Sequence, residues 1–371
     1  MTTPGEETPR TVAHDGTRAA DGIVSSANEA ARLVAALRET LCATLAPLVA
    51  HAPAIALLDF PSHPNVGDSA IWLGARAALR ACGAPAPAYT CDAQHYDRAE
   101  LARAIGRDGV ILFTGGGSFG DVWETPLAFR ARVVADFPGH RIVQLPESVH
   151  FARPEALARA RRQFAAHPHF TMLVRDAASL AFMQREFRAP VHLAPDLAFA
   201  LGPLARTAPA SRHVLWLKRS DREDRWPDHP RADAVDWITD PPDTLIRATD
   251  LLRALMRRRA WLRPAGRRAL AAASTPLAER RLARGLALLS TTRVLVTDRL
   301  HGHVLATLLG IPHVLLDNSY GKLHRFAASW TATAGFVQLA TSPSEAAHAA
   351  HALQVRAQSD QLASGAERAH A

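Results

Sequence analysis

The sequence predicts an α/β protein built on parallel sheets and divided into two domains. Short apolar runs suited to buried strands alternate with stretches of helical apolar spacing along most of the chain. The run from Arg293 to Leu316 reads as a β-α-β unit, whose crossover should be right-handed. A length of 371 residues at 48% hydrophobic composition is enough for two cores of ordinary size.

The elements follow in order. Residues 1–25 are polar, lack an apolar signal core and read as a disordered tail. Asn28 to Leu48 has amphipathic helical spacing, Ala54 to Phe60 reads as a strand, 61–68 as a polar loop and Ser69 to Ala81 as a helix. Gly109 to Phe113 is a strand that ends in three glycines, and further strands are expected at Arg141 to Leu145, Thr171 to Val174 and Val191 to Leu193. A Gly-, Pro- and Ala-rich junction at Gly202 to Ala210 precedes the strand His213 to Leu217. The charged, Pro-rich stretch Asp221 to Asp243 is expected to be an exposed insertion or a mobile lid. A helical region from Thr244 to Leu289 leads into the β-α-β unit, whose helix is stopped by Gly310 and Pro312. Ala346 to Ala371 reads as an Ala-rich terminal helix that frays. The expected domains are therefore 26–205 and 206–342, flanked by tails 1–25 and 343–371.

Composition narrows the function classes. The formal net charge of +8 comes almost wholly from arginine, scattered except for short runs such as Arg257 to Arg259. No aromatic-and-basic stacking pattern accompanies it, so a solvated surface is favoured and no nucleic-acid partner is expected. Cys42, Cys82 and Cys91 are an odd set without metal spacing, which fits reduced cytosolic thiols. No stretch is long and apolar enough to span a bilayer. The chain has only two lysines, Lys218 and Lys322, and both fall in segments that carry candidate chemistry.

In an open parallel sheet the loops after the strands gather at one edge, the usual ligand crevice. In PSHPNVGDS, Pro64 fixes the chain before Asn65, Gly67 permits close backbone approach, and Asp68 or Ser69 can cap the next helix. A carboxylate there can bond sugar hydroxyls or act as a base; a simple capped loop is the alternative. In TGGGSFGD, residues Gly116, Gly117 and Ser118 can bring main-chain amides to an anion, with tight backbone packing as the plainer reading. QLPESVH places Glu147 and His150 after a strand as a candidate acid or base. Arg175, Asp176 and Asp196 also end strands, where structural pairs or caps are favoured, with Arg175 kept as a substrate-binding candidate. Lys218 and Arg219 form either a surface ion-pair cluster with Asp221, Glu223 and Asp224 or a substrate loop. The β-α-β unit supplies Asp298, Arg299 and His301 after its first strand, and Asp317, Asn318, Tyr320 and Lys322 after its second. His301 and His303, two apart, diverge by about 200° on a helix, so they cannot share a metal, and no metal is expected. His301 can face an anion together with Arg299, while His303 points into the core or toward another loop.

Taken in order, NVGDSAIWLGA, TGGGSFGD, VQLPESVHF, RDAASLAF, APDLAFAL and TDRLHGHVLATLLGIPHVLLDNSYGKLHRF resemble the polysaccharide pyruvyl transferase family of exopolysaccharide biosynthesis, over about residues 54–335. The resemblance implies two Rossmann-like domains in a GT-B-like arrangement, the first on the acceptor side and the second on the donor side. It implies phosphoenolpyruvate as donor with no cofactor, a sugar hydroxyl pair of a glycan or lipid-linked oligosaccharide as acceptor, and a pyruvate ketal as product. Arg299-Leu300-His301 looks like the family's RLH element, which implies that Arg299 binds the donor's anionic groups and His301 moves a proton. Asp68 resembles the acidic residue of the amino-terminal loop and would contact the acceptor; Glu147 stands where Gln is more usual. A cytoplasmic location, in peripheral contact with membrane-bound polysaccharide assembly proteins, is implied as well. A GT-B glycosyltransferase using a nucleotide sugar is the nearest rival. A non-catalytic glycan- or anion-binding protein is more distant, because it leaves Arg299, His301 and Lys322 without a purpose.

Overall fold

The computed structural model describes residues 26–227 and 233–369, with side chains as far as residue 356; the expected tail 1–25 lies outside the described residues. Two Rossmann-like parallel sheets make up the fold. The first contains β1 (Ile55–Leu58), β2 (Tyr89–Cys91), β3 (Val110–Phe113), β4 (Gly116–Gly120), β5 (Arg141–His150), β6 (Phe170–Val174) and β7 (Val191–Leu193). Its order is β2-β1-β3-β5-β6-β7, with β4 paired to β5 off this path. Both β1 and β3 are wholly apolar and wholly buried, as strands covered on two faces must be. Strand order reverses between β1 and β3, so the loops that follow these two strands border the crevice of the sheet. The second sheet runs β11-β10-β9-β8, from β8 (Arg212–Leu217), β9 (Thr292–Thr297), β10 (His313–Leu316) and β11 (Val337–Ala340).

Helices tie the sheets together. Helix α1 (Ser26–Val49) buries Ala30, Val34, Leu37, Leu41, Leu45 and Val49, the three-and-four spacing of one helical face. Its first three buried residues enter the core under the second sheet, and its last three enter a core of the first. This one helix therefore acts as a strut across both halves. Helix α2 (Val66–Ala81) lies at the junction; a Cβ on Gly74 would stand 2.9 Å from Ala198 Cα and closer still to the Leu197 carbonyl, so only glycine fits. Helices α3 (Arg98–Ile105), α4 (Glu124–Asp136), α5 (Pro154–Ala165) and α6 (Ala177–Glu186) surround the first sheet. The second half adds α7 (Thr244–Arg258), α8 (Arg263–Ser290), α9 (Leu300–Leu308), α10 (Lys322–Trp330) and α11 (Pro343–Ala369).

Four local expectations change. Helix α2 starts at Val66 instead of Ser69, because the Asn65 side chain accepts from the Gly67 amide and caps it; Asp68 sits inside the first turn. The glycine-rich run is a strand, β4, and not a loop. It finds a partner because β5 continues past Leu145 to His150, after an irregularity in register between Gln144 and Glu147. The stretch 221–243 is not a free lid: Val235 bridges to Leu217, and Glu223 and Trp237 are buried; residues 228–232 lie outside the described residues. Finally, α11 is more than a tail, since Ala346, Ala350 and Leu353 pack into a core with β9 and β10 residues. Among the described residues, no helix is long and apolar enough to cross a membrane.

Candidate active site

The two sheets meet through their strand-end loops. After β1, Asn65 caps α2 and its side-chain amide donates to Asp68 Oδ2 at 2.8 Å, while His63 Nε2 lies 2.7 Å from the same oxygen. Burial alone would raise the Asp68 carboxyl, but the His63 hydrogen bond and the positive charges of His63, His301 and Lys322 outweigh it and hold the carboxyl well below its usual range. Asp68 is thus an ionised acceptor at neutral pH. The loop is steadied from the other half by α8: Arg281 donates to the carbonyls of Pro61 and Ser62, and Arg284 to that of Pro64. Asp240 pairs with both arginines. Gly67 faces the first turn of α9, where a Cβ would fall 2.5 Å from Cγ of His301, so the two halves approach closely here.

A buried row of charge continues from that contact. His301 is 8% exposed, and its Nε2 lies 3.4 Å from Asp196 Oδ2, too long for a good hydrogen bond. Asp196 accepts from Arg175 Nη1 at 2.6 Å and caps the short 3-10 turn Leu197–Leu201 through the Ala198 amide. Burial works against its charge, yet His301 and Arg175 hold the carboxyl well below the usual range. Arg175 also donates from Nε to Ser148 Oγ at 2.9 Å, but its buried Nη2 has no partner among the described residues. Beside it, Lys322 from the second half lies over β4, where a Cβ on Gly117 would be 2.7 Å from Lys322 Cε and 3.0 Å from Arg175 Nη2. A buried guanidinium nitrogen without a partner, next to an ammonium and a bare glycine backbone, has the chemistry to accept an anion.

Glu147 does not sit in an open loop as an acid or base. It lies within β5, fully buried, and Oε1 accepts from the backbone amides of Ser118 and Phe119. Gln144 and Arg130 approach Oε2 at 3.5 and 3.8 Å. Held through Oε1 by two backbone amides, Glu147 keeps the glycine-rich strand in place, and Gly116, at φ 147, turns the chain past it. Arg130 completes the group, donating to Ser118 Oγ at 3.0 Å and to Asp59 Oδ2 at 3.3 Å. Sequence reasoning missed Asp59. It directly follows β1 at the reversal of strand order, has the left-handed φ of 68 that a non-glycine rarely takes, and is pushed up to about 6 by burial, against the pull of Arg130.

The second half supplies balancing acids that the polar composition of 221–243 concealed. Glu223 accepts from Trp123 Nε1 at 3.1 Å, Asn318 Nδ2 at 3.0 Å and Tyr320 Oη at 3.0 Å, and lies 3.2 Å from Arg219 and 3.7 Å from Lys322. Asn318 Oδ1 in turn accepts from the Lys322 amide at 2.8 Å, and the Tyr320 ring stacks on His150 at 4.6 Å. Arg299 is not an open anion hook: Asp236 takes its Nε and Nη2 at 2.5 and 2.6 Å, and the residue is 3% exposed. Arg219 is likewise paired with Asp221, and Lys218 with Asp224 and the Trp226 carbonyl. These pairs put Lys218 and Arg219 in an ion-pair cluster of the β8 loop; through Glu223, only Arg219 is linked to the Lys322 group. His303 turns away from His301 into the core, where it bonds His313 at 2.6 Å and Thr331 at 3.0 Å. Burial, reinforced for His303 by the neighbouring imidazole, keeps both rings below the ordinary imidazole value. Among the described residues there is no group of three or more His, Cys, Asp or Glu that could hold a metal ion.

The comparisons with known proteins agree with this architecture. A protein of Schizosaccharomyces pombe named pyruvyl transferase 1 is 32% identical over 286 residues, which is 74% of this chain and 69% of that protein. The putative pyruvyl transferase EpsO of Bacillus subtilis is 29% identical over 276 residues, covering 73% of this chain and 84% of its own. An uncharacterized Klebsiella pneumoniae protein of known crystal structure shares the fold at a TM-score of 0.55 and 15% identity, covering 82% of this chain and 99% of its own. The family model for polysaccharide pyruvyl transferase matches residues 65–320, a span that runs from the Asn65 cap to Tyr320 and takes in Asp68, Arg175, Asp196 and His301, and the chain belongs to that family.

Proposed function

We propose that the site moves the pyruvyl group of phosphoenolpyruvate onto two hydroxyls of one sugar, in an exopolysaccharide or its lipid-linked precursor, and closes a pyruvate ketal. The observation that carries this reading is the partnerless Arg175 Nη2 beside Lys322 Nζ over Gly117. A small donor with both a carboxylate and a phosphate would satisfy the buried guanidinium and the ammonium together, through charge-assisted bonds.

In this reading His301 donates a proton to the methylene carbon of the donor, which becomes the methyl group. The adjacent carbon then takes up the first acceptor hydroxyl, whose proton passes to Asp68, the ionised acceptor on the facing loop. Phosphate leaves with the electrons of its C–O bond, and the neighbouring hydroxyl adds to the same carbon and loses its proton. Two C–O bonds form, one breaks, and one of the two hydroxyl protons restores His301. Asp196 stabilises the imidazolium before it donates and after it is restored, and the proton taken by Asp68 leaves with the phosphate. Trp123 to Glu223 and Trp330 to the Arg175 carbonyl draw the halves together over the site, which favours exclusion of water from the cationic carbon. The co-substrate brings its own leaving group, so the scheme calls for no cofactor. On this reading the protein works in the cytoplasm, in peripheral contact with membrane-bound polysaccharide assembly proteins.

Incubating the purified protein and an acceptor glycan with phosphoenolpyruvate, or instead with nucleotide sugars, tests the donor. Acceptor-dependent release of phosphate is the expected result. Release of nucleotide with no turnover of phosphoenolpyruvate would give the site to glycosyl transfer.

A further inference from the structure

Five large hydrophobic side chains stand exposed among the described residues, and three of them fall within eleven residues of one helix-turn segment: Leu251 at 61%, Leu255 at 40% and Trp261 at 76%. Leu251 and Leu255 are one turn apart on α7 and share a face. Trp261 lies in the 3-10 turn Ala260–Leu262 that joins α7 to α8. The opposite side of this hairpin is anchored. Leu245 and Ile246 pack on a core of the first sheet, and Gly266 lets α8 close on Met256, where a Cβ would meet Cγ at 2.8 Å. The apolar tip is thus held out from a fixed support.

The charge around it is mainly basic. Arg247, Arg257, Arg258, Arg259, Arg263 and Arg268 are exposed, and the one acid between residues 247 and 268 is Asp250, which is taken by Arg253 at 3.0 Å. Arg267 is spent on Asp97 and Glu100. None of Arg257, Arg258, Arg259 or Arg268 has an ion-pair partner among the described residues.

We infer that the α7–α8 tip docks on an anionic phospholipid bilayer, with Leu251, Leu255 and Trp261 entering the headgroup boundary and the ring of arginines meeting lipid phosphates. The combination of an interfacial Trp, leucines on one helical face and a mainly basic surround suits that surface. A second copy fits poorly, since a two-fold pairing would set six arginines against six. A nucleic acid also fits poorly: one aromatic offers no stacking ladder, and the two leucines have no counterpart on a phosphate backbone. The inference does not depend on the transfer chemistry.

Sedimentation of the full chain with phosphatidylcholine vesicles, with and without phosphatidylglycerol, tests it. Binding is expected only with the anionic lipid and should weaken as salt rises. The variant Leu251→Ser, Leu255→Ser, Trp261→Ser should lower the bound fraction about tenfold, and so should Arg257→Glu with Arg258→Glu, both with unchanged thermal melts because every side chain altered is exposed. Equal binding to both vesicle types, or binding untouched by the triple variant, overturns the proposal. So does a dimer in solution that the triple variant dissolves, or capture of an RNA oligonucleotide by a protein that ignores vesicles.

Discussion

The Lys322 ammonium lies against the backbone of Gly117, so close that a Cβ there would fall 2.7 Å from Lys322 Cε and 3.0 Å from Arg175 Nη2. A strand of the first sheet and the first residue of a helix of the second thus share one cationic point. Gly117→Ala should leave the fold intact, because the atoms it strikes are the far ends of two side chains, while pushing both cations off the anion. The Michaelis constant for phosphoenolpyruvate is expected to rise about 10- to 100-fold with a smaller change in kcat. Unaltered steady-state constants would remove this point from the donor site.

His301 makes a second close cross-sheet contact, against Gly67. His301→Ala is expected to lower kcat by roughly two orders of magnitude or more with little change in melting temperature, as for loss of a proton donor. Gly67→Ala, which drives a methyl into the same imidazole, should reproduce much of that loss. Steady-state kinetics beside a thermal melt checks both; full activity in His301→Ala would take the residue out of the mechanism.

Arg299 and Asp236 form a nearly dry bidentate pair, so removing one partner should be worse than removing both. Arg299→Met is expected to cost about 3 kcal/mol of stability, and adding Asp236→Leu should recover most of it. Denaturant titration of the single and double variants measures this. A double variant no more stable than the single one would mean that the pair is not what holds residues 233–237 against α9.

Asp59 gives a pH signature. Its folded carboxyl is raised to about 6 from an ordinary value of 3.8, so the folded state binds more protons in that window and stability falls as pH rises through it. The loss is complete above the folded value. Asp59→Asn, which keeps the left-handed backbone accessible, should therefore be more stable than the parent above pH 6, by about 3 kcal/mol, with no advantage below pH 4. Parallel melting curves across that range would contradict the assignment.

Much of this was legible in the chain. Strands β1 and β3 are wholly apolar runs, β9 and β10 largely so, and the segments that follow these four strands carry Asp68, Gly117, His301 and Lys322, which the structure brings to one place. Other features arise only from tertiary structure. Asp59 is one unremarked acid until its φ and its burial beside Arg130 are seen. The polar stretch 221–243 looks solvated because composition cannot separate a charge facing water from one facing a partner; Glu223 and Asp236 face Arg219, Lys322 and Arg299. Glu147 was expected after a strand ending at Leu145, where the polar residues begin, yet β5 runs on to His150.

The most direct measurement is mass spectrometry of a candidate repeat-unit glycan after incubation with the protein and phosphoenolpyruvate. The account predicts a gain equal to pyruvate less one water, with both oxygens of one sugar blocked, and no gain with Lys322→Ala or His301→Ala. A gain of a glycosyl unit, or an unchanged glycan mass while an established pyruvyl transferase modifies the same acceptor, would contradict it.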